Sequence, residues 1–298
     1  MLLITAPGQG AQTPGFLAPW LEVPGVRDRL TAWSDIAGLD LVRYGTTAEA
    51  DEIKDTAVAQ PLLVAAALVT FEALGLTPGA VAGHSVGELG AAAMAGVLTP
   101  EDAMRLVAVR GRGMAEAAAV TETGMTAVLG GDTDDVLAAI DKHGLTPANI
   151  NGAGQIVAAG TLEQLAEFAE EPPAKARLRP LAVAGAFHTE HMAPAVAALD
   201  AAAASVEPRD PKIKLVSNKD GAVVDSGAEF VRRLVGQVSA PVRWDLCMGA
   251  FAGLGVTAMI ELAPSGTLVG LARRELKGVQ LLALKTPEDL EKARELAS

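Results

Sequence analysis

Apolar residues along this chain fall into short runs that alternate with longer helical stretches. Leu2–Ala6 is a short apolar run ending in Pro7-Gly8, which predicts a buried strand feeding a loop. Pro61–Leu74 is rich in Ala and Leu and apolar nearly all round, which predicts a helix buried on most faces. Val81-Ala82-Gly83 reads as a brief strand and Val86–Val97 as a second buried helix of small residues. Glu101–Ala118 reads as a helix with Thr99 as N-cap and Pro100 at the first helical position, where a missing N–H is harmless. The same rhythm predicts later helices near Glu229–Val238, Asp245–Gly253 and Thr267–Arg274, with strands at Thr257–Leu262 and Val279–Leu284. Pro287–Leu296 closes the chain as a helix capped by Thr286. Strands and helices in alternation define the α/β class.

The middle of the chain changes rhythm. Thr126–Leu129 predicts a strand, Thr133–His143 a helix closed by Gly144, and Ala148–Asn151 a strand. After the Gly152-Ala153-Gly154 turn come a strand at Gln155–Ala159, a helix at Leu162–Glu170 and a strand at Arg177–Val183. That order, β-α-β-β-α-β, is the ferredoxin-like pattern. It predicts a small subdomain at 125–187 inserted into a large one formed by 1–124 and 188–298.

Composition narrows the class. A chain of 298 residues can bury a full core without staples. With 50% hydrophobic and 20% charged residues it is too apolar to be disordered. A single cysteine, Cys247, excludes a disulfide scaffold and a Cys-based zinc site. A net charge of −12 disfavours a protein that grips nucleic acid, although a local basic patch can still meet an acidic partner. The N-terminus lacks the basic segment of a signal peptide, and Pro61–Leu74, interrupted by Thr70 and Glu72, is too short to span a bilayer. A cytoplasmic chain away from membranes is expected. No exposed apolar helix or heptad seam stands out, so a monomer is expected.

The sharpest chemical signal is Gly83-His84-Ser85-Val86-Gly87, a G-x-S-x-G sequence between a predicted strand and a small-residue helix. Such a turn presents a serine hydroxyl at the head of a helix, with the Val86 N–H beside it to stabilise an oxyanion. A serine nucleophile needs a base. Of four histidines, His84 adjoins Ser85 and would point elsewhere, and His143 sits at a helix end where solvation is the default. His188 and His191 remain candidates, following the last strand of the insert. The spacing His188-x-x-His191 has no third ligand at motif spacing, so no metal is expected. Pro7-Gly8-Gln9-Gly10-Ala11-Gln12 fails the dinucleotide fingerprint because Thr13 occupies the third glycine position. Its glycines would instead let the Gln9 backbone approach a reacting atom. Arg110 lies on an otherwise apolar helix face and needs a carboxylate partner, internal or from a substrate.

Taken in order, several segments resemble the malonyl-CoA:acyl carrier protein transacylases of bacterial fatty-acid or polyketide synthesis. They are Pro7–Gln12, Gln60-Pro61, Gly83–Glu88, Arg110-Gly111 with Met114, Asn151–Gln155, Gly185–Thr189, Pro241–Trp244 and Glu261–Gly270. The resemblance implies an α/β-hydrolase-like large domain with a ferredoxin-like subdomain and no cofactor. It implies Ser85 as nucleophile, His188 as base, the backbone N–H groups of Gln9 and Val86 as oxyanion donors, and Arg110 as partner of the malonyl carboxylate. The Gln237 carbonyl would orient His188 in place of a third carboxylate. Gln60 and Asn151 would line the pocket, and Phe187 would crowd a 2-methyl branch. Malonyl-CoA and holo acyl carrier protein are the implied partners, with Lys175, Arg177, Arg179, Arg273, Arg274 and Lys285 as candidate docking charges. The rival readings are an acyltransferase for another polyketide extender, a serine esterase or thioesterase, and a non-catalytic carrier-protein-binding module.

Overall fold

The computed structural model describes residues 1–152 and 154–297; Ala153 of the expected turn and Ser298 lie outside them. Among the described residues the strands are, in chain order, β1 (Leu2–Ala6), β2 (Ala80–Gly83), β3 (Thr123–Gly130), β4 (Thr146–Gly152) and β5 (Gln155–Thr161), followed by β6 (Ala176–Pro180), β7 (Lys214–Val216), β8 (Val242–Arg243), β9 (Ala258–Glu261) and β10 (Gln280–Ala283). They form two five-stranded sheets.

The first sheet has the order β10-β9-β1-β2-β7 and is parallel at every pairing. Its central strands are buried along their length, as parallel strands covered by helices on both faces must be. The chain leaves β1 for β2 on one side and later returns to β9 on the other. The crevice beyond the carboxyl ends of these strands is where such sheets bind ligands. Gln9 follows β1 there, Ser85 follows β2, and Thr267 and Leu268 follow β9.

The second sheet has the order β6-β3-β5-β4-β8. Its first four strands pair antiparallel, in the arrangement of a split βαβ unit. Phe168, Val136 and Ile140 from the two helices of this unit pack a separate core against Val128, Ile156 and Ala158. The fifth strand, β8, comes from the far end of the chain and runs parallel to β4. It ties the two sheets together beside the crevice.

Several expected boundaries move. The long buried helix runs Thr56–Leu74, because the Asp55 carboxylate accepts from the Ala57 N–H and starts it five residues before Pro61. At 19 residues it is long and apolar enough to cross a membrane, but 78% of its most apolar window is buried inside the fold. The last strand of the insert stops at Pro180. Beyond it Leu181 N–H still reaches the Met125 carbonyl, and a tight turn at Val183 then redirects the chain toward His188. The closing helix begins at Asp289, not at Pro287. Thr286 does not cap it through its hydroxyl; the Asp289 carboxylate instead accepts from the N–H groups of Lys285 and Thr286. Helices at Val26–Ala37, Leu41–Thr46 and Ala193–Ala203, and strand β7, were not expected from the sequence.

Candidate active site

The turn after β2 is fixed by sterics. A Cβ on Gly83 would lie 2.0 Å from the Gly87 carbonyl, and one on Gly87 would lie 2.4 Å from the Ala6 carbonyl oxygen. Only glycine at both ends allows the helix Gly87–Met94 to spring directly from the strand. Between them Ser85 adopts φ 53°, a left-handed conformation that a non-glycine residue holds only under constraint. The turn thereby puts Ser85 at the N-terminus of the Gly87–Met94 helix, facing the crevice.

His188 is the histidine that the fold brings to Ser85. Its Nε2 lies 2.7 Å from Ser85 Oγ. Its Nδ1 lies 2.9 Å from the Gln237 carbonyl oxygen, which can only accept. Nδ1 therefore carries the proton, Nε2 is the acceptor, and the Ser85 hydroxyl donates to it. His188 also has positive φ, 62°, and is buried. Burial pushes its pKa down to about 3, and the Arg110 charge adds to the shift, so the imidazole is neutral over the physiological range. His191 belongs to the next turn and lies outside the cleft, with its N–H on Thr189 Oγ1.

Arg110, on the Pro100–Ala118 helix, reaches Ser85 Oγ but does not itself line the cleft. One guanidinium nitrogen donates to Gln60 Oε1 at 2.6 Å and another to Ser85 Oγ at 3.2 Å. The residue is 3% exposed, and among the described residues no salt bridge joins it to a carboxylate. Burial lowers its pKa to about 10, against the field of Glu88, so it stays charged. Glu88 does not supply a full counter-charge, since burial pushes its carboxyl up to about 8.

The cleft encloses about 910 Å³ of empty space, part of it open to solvent. Gln9, Gln60, Ser85, Asn151, Phe187 and His188 all line it. The backbone N–H groups of Gln9 and Val86 donate to no described residue, so both are free for an incoming oxygen. The Gln9 side chain is tethered to Thr56 Oγ1. His84 also lines the cleft but faces the second sheet, with Nε2 2.9 Å from Asn151 Oδ1. Asn151 in turn donates to Gln155. Glu261 receives the N–H groups of Gly266, Leu268 and Val269, which anchors the start of the Thr267–Glu275 helix at the cleft rim. Among the described residues no cluster of three or more His, Cys, Asp or Glu could hold a metal ion. The sequence alone assigns no role to Asn218 and Glu88, which the structure brings to the turn. The signal for Glu88 was its place in the Gly83–Glu88 segment; Asn218 had none.

A serine with a neutral histidine, two free N–H donors and a buried cation defines an acyl-transfer site. Residues 7–288 match the acyl transferase domain family, and the chain belongs to it. Its relatives narrow the class. The chain is 53% identical over 302 residues to the malonyl CoA-acyl carrier protein transacylase of Mycobacterium bovis, covering 99% of this chain and 100% of that one. The crystal structure of MCAT from Mycobacterium tuberculosis aligns with a TM-score of 0.95 at 53% identity, covering 100% of this chain and 99% of that one. A malonyl-transacylase solved in complex with its type II PKS acyl-carrier protein aligns with a TM-score of 0.92 at 30% identity, over 99% of each chain.

Proposed function

We propose that this chain transfers the malonyl group of malonyl-CoA to the phosphopantetheine thiol of an acyl carrier protein, through a malonyl ester on Ser85. One observation carries the choice of substrate: Arg110 is buried and charged next to Ser85, with no salt bridge to a carboxylate among the described residues. An acyl group ending in a carboxylate fills that need. It replaces two neutral acceptors, Gln60 and Ser85, with a charge-assisted pair. A neutral acetyl group leaves the guanidinium as it was.

In this reading His188 takes the Ser85 proton as Oγ attacks the thioester carbonyl. The N–H groups of Gln9 and Val86 receive the oxyanion. The tetrahedral adduct collapses, the carbon–sulfur bond breaks, and CoA leaves with the proton from His188. The carrier thiol then gives its proton to His188 and attacks the ester, and Ser85 recovers a proton as it leaves. The Gln237 carbonyl stabilises the transient imidazolium without a third carboxylate, and the Gln60 and Asn151 amides, held by Arg110 and by His84 and Gln155, shape the pocket. Phe187 crowds a branched acyl group. Residues 125–187 act as a small subdomain facing the catalytic part, 1–124 and 188–298, across the cleft.

The carrier protein meets exposed basic residues: Lys175 just before β6 and Arg177 and Arg179 alternating along it at the edge of the second sheet, with Arg273, Arg274 and Lys285 on the first-sheet side. The chain works as a cytoplasmic monomer that engages neither nucleic acid nor membrane. Steady-state transfer with both substrates varied tests the reading. Parallel double-reciprocal lines are expected for a covalent intermediate; intersecting lines would contradict it.

A further inference from the structure

The turn that presents Ser85 holds a non-glycine residue at positive φ, and something must hold it there. The groups that do so converge on Asn218, in the loop after β7. Its side-chain Oδ1 accepts the Ser85 N–H at 2.8 Å. Its Nδ2 donates to the Gly83 carbonyl at 2.8 Å. The amide thus bridges the two residues that flank His84. It is fully buried, and its own backbone is held on both sides. The Asn218 N–H donates to Glu88 Oε1 at 2.8 Å, and its carbonyl accepts the Arg243 N–H at 2.8 Å. Glu88 belongs to the helix that the turn opens, and Arg243 to β8.

The chemistry of the two contacts selects the residue type. Ser85 N–H can meet only an acceptor and the Gly83 carbonyl only a donor. A primary amide supplies both on one planar group. A carboxylate would set oxygen against oxygen at Gly83, and an apolar side chain would leave two buried backbone groups unpaired.

We infer that Asn218 is a positioning residue: its amide clamps the strand-to-helix turn in the conformation that presents the Ser85 hydroxyl to His188. It acts through Ser85 and touches no substrate. The inference rests on the reading of Ser85 as the nucleophile.

The test uses Asn218→Ala and Asn218→Asp in the full chain. Single-turnover malonylation of Ser85 is timed by rapid quench and intact mass. Malonyl-CoA affinity is measured separately by calorimetry in a Ser85→Ala background, with and without each substitution. The clamp predicts acylation slowed by about 10- to 100-fold in both variants, since a misplaced nucleophile loses rate of that order. Affinity stays within twofold, because the pocket walls are untouched. If Asn218→Ala fails to fold, the isosteric Asn218→Asp carries the comparison. Acylation within twofold of the parent in a folded variant overturns the clamp. So does an affinity loss as large as the rate loss, which a merely structural role would give. Labelling of Ser85 by a neutral fluorophosphonate keeps the two readings apart. A parent that labels but does not malonylate overturns the substrate reading, and the clamp is then decided by whether the variants label 10- to 100-fold more slowly or at the parent rate.

Discussion

Arg110→Ala is the perturbation that bears most directly on substrate choice. In the free site the guanidinium spans Gln60 Oε1 and Ser85 Oγ, and the side chain is 3% exposed. A substrate carboxylate bound there makes a buried, charge-assisted pair. Truncating one partner of such a pair costs about 2–5 kcal/mol. At ~1.4 kcal/mol per factor of ten, that is a fall of roughly 30- to 4,000-fold in kcat/KM for malonyl-CoA. Acetyl-CoA has no carboxylate to lose, and in the variant it no longer faces an unpaired cation. Its kcat/KM should change by less than about tenfold, since only the guanidinium's hydrogen bonds to two neutral acceptors are lost. The ratio of the two specificity constants therefore falls by at least about threefold, and by roughly 30- to 4,000-fold where acetyl transfer is unchanged. Arg110→Lys keeps the charge but not the fork, so it should fall between the parent and Arg110→Ala. The assay is competitive acylation of Ser85 by an equimolar mixture of the two thioesters, read by intact mass. A malonyl-to-acetyl ratio unchanged in Arg110→Ala would refute the reasoning, because selectivity would then reside elsewhere in the cleft.

Other predictions follow from the same geometry. His188 is held well below its ordinary 6.5, so the acid limb of the kcat/KM profile should lie below pH 6.5, and Arg110→Ala should move it upward by removing a nearby charge; a limb centred at or above 6.5 in the parent would count against this. Glu88 titrates near 8 in the fold and near 4.5 when unfolded, so the folded chain keeps a proton that the unfolded chain releases, and stability declines as pH rises between those values. Glu88→Gln should therefore gain on the parent between pH 5 and pH 8 by on the order of a few kcal/mol in urea melts, whereas an equal difference at both pH values would exclude the cause. Phe187→Leu opens the wall beside His188 and should raise methylmalonyl transfer relative to malonyl by about tenfold, measured with competing thioesters; an unchanged ratio would remove Phe187 as the selector.

Much of the architecture was legible because periodicity and punctuation agree. Thr99-Pro100 marked the start of the Pro100–Ala118 helix, where the Thr99 hydroxyl accepts the Asp102 N–H. Leu162–Glu170 was bounded correctly, and Thr161 and Gln164 close a capping box on it. Pro61 misled, since a proline usually opens a helix; here it sits in the second turn, behind the Asp55 cap. The Val26–Ala37 helix does carry a pattern: Val26, Leu30, Trp33 and Ala37 form a buried stripe between Gly25 and Gly38. Ala193–Ala203 has little contrast between its faces, and β7 is only three residues long, so neither gives a strong pattern.

At the site, Ser85 announced itself through the two glycines that sterics demand. The pairing with His188 spans 103 residues and no local pattern encodes it. Gln237 contributes a backbone carbonyl, and Gln9 and Val86 contribute N–H groups, so their side chains carry no signature of the part they take. Asn218 lies 133 residues from the turn it bridges, in a loop with no motif around it.

The measurement that tests the central claim most directly is intact-protein mass after brief mixing with malonyl-CoA, beside a Ser85→Ala control. The account predicts one malonyl group added to the parent, none added to the control, and its discharge on addition of holo acyl carrier protein. A parent that stays unmodified while malonyl-CoA survives would contradict the account. Thioester consumed without a malonyl-enzyme, and without transfer to the carrier, would contradict it in favour of a hydrolase.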